Sequence, residues 1–276
     1  MANELEKRRN ETLAAELKAA QDSCRQIEPI TARVGGFDNA AAYEVSRFIH
    51  ESRLREGAVP VGRKIGFTNR NIWPEYGVYE PIWGYVYDTT VVRMSGVSVN
   101  CAIARFAEPR IEPEIVVHFA ATPPVSDDPA TILSCIDWIA HGIEIVQSHF
   151  PRWKFRAPDT LADSALHGTL LVGEPQPLER LGVDLVLRLE RFTVALSCNS
   201  EVREIGRGAN VLGSPLLALA HLMGILAKAP LATPLQSGEL VTTGTLTAAL
   251  PIHAGETWST RLDGIALPGI TVAFEA

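Results

Sequence analysis

Glu112 and Glu114 stand one residue apart in the stretch Ile111-Glu112-Pro113-Glu114-Ile115-Val116-Val117. In an extended strand alternate side chains share a face, so the two carboxylates project side by side. Carboxylates held that close repel one another unless a proton or a cation sits between them. The apolar run that follows carries the strand into a core, which raises the cost of that repulsion. A divalent metal is the simplest resolution. Hard cations such as Mg²⁺ and Mn²⁺ favour oxygen ligands and keep positions open for water or substrate. The competing reading is a strand with a wet face and two solvated glutamates. Further along, Gly142-Ile143-Glu144-Ile145-Val146 is an apolar strand with one acid at its centre. A lone buried glutamate needs a partner. Glu144 either pairs with an arginine or completes a three-carboxylate metal site with Glu112 and Glu114. Lys64 lies between glycines in Val61-Gly62-Arg63-Lys64-Ile65-Gly66-Phe67-Thr68. It is a candidate substrate anchor or proton donor, or else a lysine whose stem lies on apolar surface and whose head reaches water.

Elements must position these groups. Residues 4–24 read as a charged helix with Leu13, Leu17 and Ala20 along one stripe. Asp38 caps a second helix running to about Glu56, with Val45, Phe48 and Ile49 inward and Gly57 as its stop. With little core of their own, these helices form an N-terminal arm over 1–58 that packs on the main body or on another subunit. Residues 59–276 form a catalytic mixed β domain. Lys64 falls in a strand over 61–68, where the small flanking residues allow close approach of a ligand or of neighbouring backbone. Tyr76-Gly77-Val78 through Tyr87-Asp88 is dense in aromatics, Pro and Gly, and reads as a structured covering loop. Short strands are expected at 91–94 and 111–120, then a helix over 130–140 behind Asp128-Pro129 and the Glu144 strand. A polar turn over 159–164, a strand over 169–172 and paired strands over 181–189 and 192–197 follow. Ser214 and Pro215 open a helix to about Ala227 that is apolar almost all round and therefore buried. Strands over 239–243, 245–248, 256–262 and 270–274 close the chain. Helices first and mixed short strands later give an α+β class.

Across 276 residues, a formal charge of -7 argues against a general nucleic-acid or membrane-surface binder. No apolar run reads as long enough to span a membrane, and the charged N-terminus lacks the apolar stretch of a secretion signal; the expected compartment is the cytoplasm. Cys24, Cys101, Cys135 and Cys198 are scattered, form no C-x-x-C pair and read as reduced thiols. No glycine-rich phosphate loop and no serine elbow is present.

Taken together, the ordered segments resemble the fumarylacetoacetate hydrolase superfamily, in its branch of 2-keto-4-pentenoate hydratase and 4-oxalocrotonate decarboxylase. They are Val61–Thr68, Ile111–Glu114, Ile143–Val146, Asp159-Thr160-Leu161-Ala162-Asp163, Leu212-Gly213-Ser214-Pro215 and Ser237–Gly244. The resemblance runs nearly end to end. It implies a mixed β-roll, a Mg²⁺ or Mn²⁺ cofactor, and a small 2-keto acid substrate. By position it assigns the metal-binding glutamates to Glu112, Glu114 and Glu144, and the active-site lysine to Lys64. It also puts Thr243 in the substrate pocket. Hydratases of the branch carry an aspartate in a P-D-[FY]-G segment, where this chain has Pro81-Ile82-Trp83-Gly84, closer to the P-I-[YW]-G of the decarboxylases. D-S-R becomes Gln147-Ser148-His149, A-D-N-x-S becomes Ala162-Asp163-Ser164-Ala165-Leu166, and L-G-H-P becomes Leu212-Gly213-Ser214-Pro215. Ile82 and Asp163 therefore join the expected substrate-binding residues.

The activity so implied is a metal-dependent carbon–carbon lyase that decarboxylates an unsaturated 2-keto diacid through a metal-stabilised enolate. Loss of CO₂ needs an electron sink, correct orientation and a later proton donor. Hydration also needs a base to direct water, and Ile82 cannot move a proton. The alternatives are a 2-keto-4-enoate hydratase, an acylpyruvate C–C hydrolase, or a non-catalytic partner subunit. A homo-oligomer, associated with a partner enzyme of the same pathway, is also expected from the branch.

Overall fold

A computed structural model describes residues 2–70, 73–76, 78–229 and 232–276. Gly77, in the aromatic stretch before Asp88, lies outside the described residues. The chain opens with helices α1 (Ala2–Asp22), α2 (Ile30–Arg33) and α3 (Asn39–Arg55). Next come β1 (Pro60–Gly66), α4 (Trp73–Tyr76), β2 (Ile82–Tyr87), β3 (Val91–Arg93), β4 (Ser98–Ala102) and β5 (Arg110–Phe119). The middle holds α5 (Pro129–Leu133), β6 (Ile136–Val146), α6 (Ala157–Ala162), β7 (His167–Val172), β8 (Gln176–Pro177) and α7 (Leu185–Arg191). The remainder is β9 (Thr193–Cys198), β10 (Glu201–Arg207), α8 (Pro215–Lys228), β11 (Leu240–Thr242), β12 (Leu250–Pro251), β13 (Thr257–Asp263) and β14 (Thr271–Glu275).

Two sheets result. The larger runs β2-β1-β11-β5-β6-β7-β3, with β12 on β5 and β8 on β6; the smaller runs β10-β9-β13-β14-β4. Pairing is mixed: β1–β11, β3–β7 and β4–β14 are parallel, and the rest are antiparallel. This is the α+β, mixed-sheet architecture that the resemblance implies, with the helical arm at its N-terminus.

Strand alternation gives the larger sheet two different faces. On one face Ile65, Trp83, Ile115, Val117, Ile139 and Val241 enter the main apolar cluster with α8. Farther along that sheet Ile111, Ile143, Ile145 and Leu171 pack on the second sheet through Leu196, Trp258, Val272 and Phe274. The residues one position out of phase, Lys64, Glu112, Glu114 and Glu144, therefore share the other face. α1 and α3 close a separate cluster in which Leu17, Ile30, Ala42 and Val45 meet Ile82, Phe150, Leu161 and Ala165 of the body.

The helix starts follow their caps. Asp38 accepts from Ala41 N at 3.0 Å, and Ser214 Oγ accepts from Leu217 N at 3.2 Å with Pro215 at the first helical position. Gly57, just past α3, takes φ +95°, the left-handed stop. The stretch Gly208–Lys228 has the length and apolarity of a membrane span, contrary to the expectation that no run reaches it. Its helix proper is 14 residues, about 21 Å long and short of the roughly 30 Å hydrocarbon core. Leu216, Leu219, Leu222 and Leu226 are spent on the protein core.

Several expected elements change type. The helix over 130–140 is only the short α5, because from Ile136 the chain pairs with β5 through to Val146. Ile82–Tyr87 is a strand on β1, not a loop. The polar turn over 159–164 is largely α6, where buried Asp159 accepts from Thr31 N and Thr31 Oγ1. Residues 185–191 form helix α7, and β9 instead pairs with β10 and β13. The segment 245–248 is irregular, its Leu246 N bonded to Pro113 O.

Candidate active site

Glu112 lies directly opposite Glu144 across the β5–β6 pair, and Glu114 lies opposite Gly142. The register thus brings together three acids from two strands, with one carboxylate oxygen from each lying within 4.8 Å of the others. Among the described residues these three form the one cluster of metal-ligating type. Glu114 and Glu144 are fully buried, and Glu112 is partly so.

Each acid is held differently. Glu114 Oε2 accepts from Thr242 Oγ1 and from Gly244 N at 2.7 Å. Its other oxygen, Oε1, is buried without a hydrogen-bond partner. Gly244 has φ +97°, and a Cβ there would run into Thr68, so only glycine delivers this amide. Glu144 Oε1 meets His167 Nδ1 at 2.7 Å, while Oε2 lies 3.1 Å from Lys64 Nζ in an ion pair without hydrogen-bond alignment. Lys64 itself is buried on β1, between Gly84 of β2 and Thr242 of β11.

Burial sets the electrostatics. It pushes the Glu112 carboxyl up to about 7, against the pull of Lys64, with Glu144 adding to the rise. Burial and the charges of Glu144 and Glu112 push Glu114 well above the usual carboxylate range. Glu144 goes the other way: Lys64 and His167 outweigh its burial and hold it ionised. Burial alone would neutralise Lys64, yet Glu144, Glu112 and Glu114 together keep its ammonium above its ordinary value. An orphaned, desolvated oxygen among three converging carboxylates is what a hard divalent cation satisfies. The residues present fit such an ion.

A cavity opens beside the acids. Its wall carries the polar residues Lys64, Thr68, Arg110 and Glu112 together with the apolar Ile82, Val146, Phe155, Leu166 and Ala249. Arg110 projects on the same face of β5 as Glu112 and lies over the Trp153 ring at 4.0 Å. Of the expected substrate-binding residues, Lys64 and Ile82 line this cavity. Asp163 and Thr243 do not. The Asp163 carboxylate is buried against His149 Nδ1 at 2.9 Å and accepts from Gln21 Nε2 at 2.9 Å. Thr243 Oγ1 donates to Ile115 O at 3.1 Å, tying the turn to β5. The glycine beside Lys64 also has a different partner than a ligand: a Cβ at Gly62 would strike the Leu240 carbonyl.

Sequence reasoning did not find His167, because its role depends on strand register. Nor did it find His141, whose Nδ1 meets Glu114 O and whose Nε2 meets Thr260 Oγ1, both at 2.9 Å. Burial lowers His141 to about 4, so it stays neutral and bridges the two sheets behind Glu114. Gln147, Ser148 and Ser214 are likewise occupied structurally: Gln147 Oε1 accepts from Ala107 N, Ser148 Oγ donates to Phe150 O, and Ser214 caps α8.

No protein-family model matches the chain. A 2-keto-4-pentenoate hydratase of Burkholderia vietnamiensis is 29% identical over 255 residues, covering 92% of this chain and 94% of its own length. The 4-oxalocrotonate decarboxylase of Pseudomonas putida G7, solved with magnesium and adipate, superposes with a TM-score of 0.86 at 28% identity, covering 97% of each chain. A fumarylpyruvate hydrolase of Pseudomonas aeruginosa, solved with Mn²⁺ and pyruvate, shares the fold at a TM-score of 0.55 and 14% identity, over 79% of this chain and 90% of that one.

Proposed function

We propose that this chain, which belongs to the fumarylacetoacetate hydrolase superfamily in the branch of 2-keto-4-pentenoate hydratase and 4-oxalocrotonate decarboxylase, is a divalent-metal-dependent lyase that decarboxylates an unsaturated 2-keto acid. The observation that carries the metal-dependent part is the convergence of Glu112, Glu114 and Glu144, with the Lys64 ammonium 3.1 Å from Glu144 Oε2. Glu112, Glu114 and Glu144 would hold the divalent ion, which when bound would supply Lewis-acid polarisation of a 2-keto acid's ketone and a sink for the charge released when a C–C bond breaks. Lys64 meets the substrate carboxylate or returns a proton to carbon, since it lines the cavity and stays charged. The magnesium and adipate of the similar decarboxylase support an ion of this class beside a carboxylate-bearing ligand.

Ile82 favours decarboxylation over hydration. It lines the cavity across from Gly66 on the Lys64 strand, and its side chain can neither take a proton from water nor orient one. The second reading is a hydratase, favoured by the 29% identity to such an enzyme over 92% of the chain.

One assay separates them. Pure protein with Mg²⁺ and 2-oxo-3-hexenedioate is expected to release CO₂ with the absorbance of a dienol. Accumulation of a hydrated 4-hydroxy-2-keto acid without CO₂ makes the protein a hydratase. Absence of both, together with no uptake of Mg²⁺ or Mn²⁺ by calorimetry, leaves a non-catalytic role. Ile82→Asp is expected to gain hydratase activity.

A further inference from the structure

The acid face of the sheet owes one of its members to an irregularity. Across β6–β7, Glu144 pairs with Leu170 and Ile145 with Thr169, but Val146 pairs with His167 instead of Gly168. One extra residue, Gly168, is bulged out of the ladder. In an unbroken antiparallel ladder Gly168 would face Val146, and His167 would point to the opposite side of the sheet. The bulge puts His167 on the face that Val146 and Glu144 share. Only glycine fits at the bulge: a Cβ there would approach Ile145 O to 2.5 Å and the Phe106 ring to 3.2 Å.

So placed, the imidazole is gripped at both ends. Nδ1 meets Glu144 Oε1 at 2.7 Å and Nε2 meets Thr90 Oγ1 at 2.8 Å. Thr90 is itself clamped to β7, because its carbonyl accepts from Leu170 N and from Thr169 Oγ1, both at 2.8 Å. Its hydroxyl also accepts from Tyr87 N at 3.2 Å. The His167 side chain is 4% exposed, so water does not compete for these bonds.

We propose that His167, backed by Thr90, is a positioning residue that holds Glu144 as a one-oxygen ligand of the metal centre. With Oε1 taken by the imidazole, Oε2 is the oxygen left for the ion, and it is also the oxygen beside Lys64. The proposal rests on the metal-dependent reading above. Partners behind a metal ligand fix its orientation, and losing one typically weakens the ion about 10- to 100-fold.

The test is Mn²⁺ titration calorimetry on wild type, His167→Ala, His167→Gln and Thr90→Val, with the thermal midpoint of each variant measured without metal. His167→Ala is expected to bind Mn²⁺ about 10- to 100-fold more weakly than wild type. His167→Gln, which keeps one N–H donor, recovers part of that affinity, and Thr90→Val shows a smaller loss. A purely structural histidine would shift the midpoint and leave the affinity alone. Affinities of His167→Gln and Thr90→Val equal to wild type, or of a folded His167→Ala within about twofold of it, overturn the proposal. If wild type itself takes up no Mn²⁺, the metal-dependent reading fails and this inference falls with it.

Discussion

At Glu112 and Glu114, protons and a divalent ion compete for the same oxygens. Burial lifts Glu112 from an ordinary 4.5 to about 7, and burial with the charges of Glu144 and Glu112 pushes Glu114 well above the usual carboxylate range, so in the metal-free protein ionisation is penalised at both. A raised pKa in the folded state gives stability that is present below the unfolded value and lost as pH climbs through the folded one. For Glu112 that window runs from 4.5 to about 7. A bound cation reverses the sign, because it needs the ionised form. The gain in melting temperature on adding Mg²⁺ is therefore expected to be larger at about pH 8 than at about pH 6; an equal gain at both would contradict the assignment. Glu114→Gln should abolish metal uptake and turnover, because an amide is a poor substitute for a charged ligand. It should leave the metal-free fold near wild-type stability, since burial and the neighbouring charges already penalise an ionised group there. Calorimetry and a thermal melt check both halves.

At the scale of elements, what was legible in the sequence is what depends on local pattern. The Glu-x-Glu pair could be read because strand alternation alone puts both acids on one face, and Asp38 and Ser214 announced their helices through capping chemistry. What was illegible depends on partners. Residues 136–140 read as helix and became strand because β5 offers a ladder along the whole of β6. His167 was invisible because a single bulge decides which way it points. Asp163 and Thr243 were placed in the pocket by resemblance, yet their polar atoms are spent on His149, Gln21 and the Ile115 carbonyl. The Lys64 strand depends on backbone contact at Gly62, so Gly62→Ala should separate β1 from β11 and cost about 1–3 kcal/mol or more. Gly224 in α8 is the control: a Cβ there meets nothing within 4 Å, and Gly224→Ala should add about 0.5–1 kcal/mol. Denaturant midpoints of the two variants should move in opposite directions.

For the molecule as a whole, the arm expected over 1–58 is joined to the body through the rear of the cavity wall. Ile82 and Ala165 line the cavity, and both also pack in the cluster built on Leu17, Ile30 and Val45. Gln21 adds a polar tie to Asp163 and receives Arg53 NH2 at 3.1 Å. Leu17→Ala should therefore cost about 2–5 kcal/mol in stability, raise KM for the 2-keto acid, and leave Mn²⁺ affinity unchanged. A single unfolding transition is expected, and two separated transitions would show that the arm folds independently. The cavity wall is drawn from two kinds of segment. Lys64, Ile82, Arg110, Glu112 and Val146 are fixed by sheet register, whereas Phe155, Leu166 and Ala249 come from segments outside the strands. Such a division lets selection or a designer retailor the strand-free part of the wall, residue by residue, without disturbing the ladder that holds the acids.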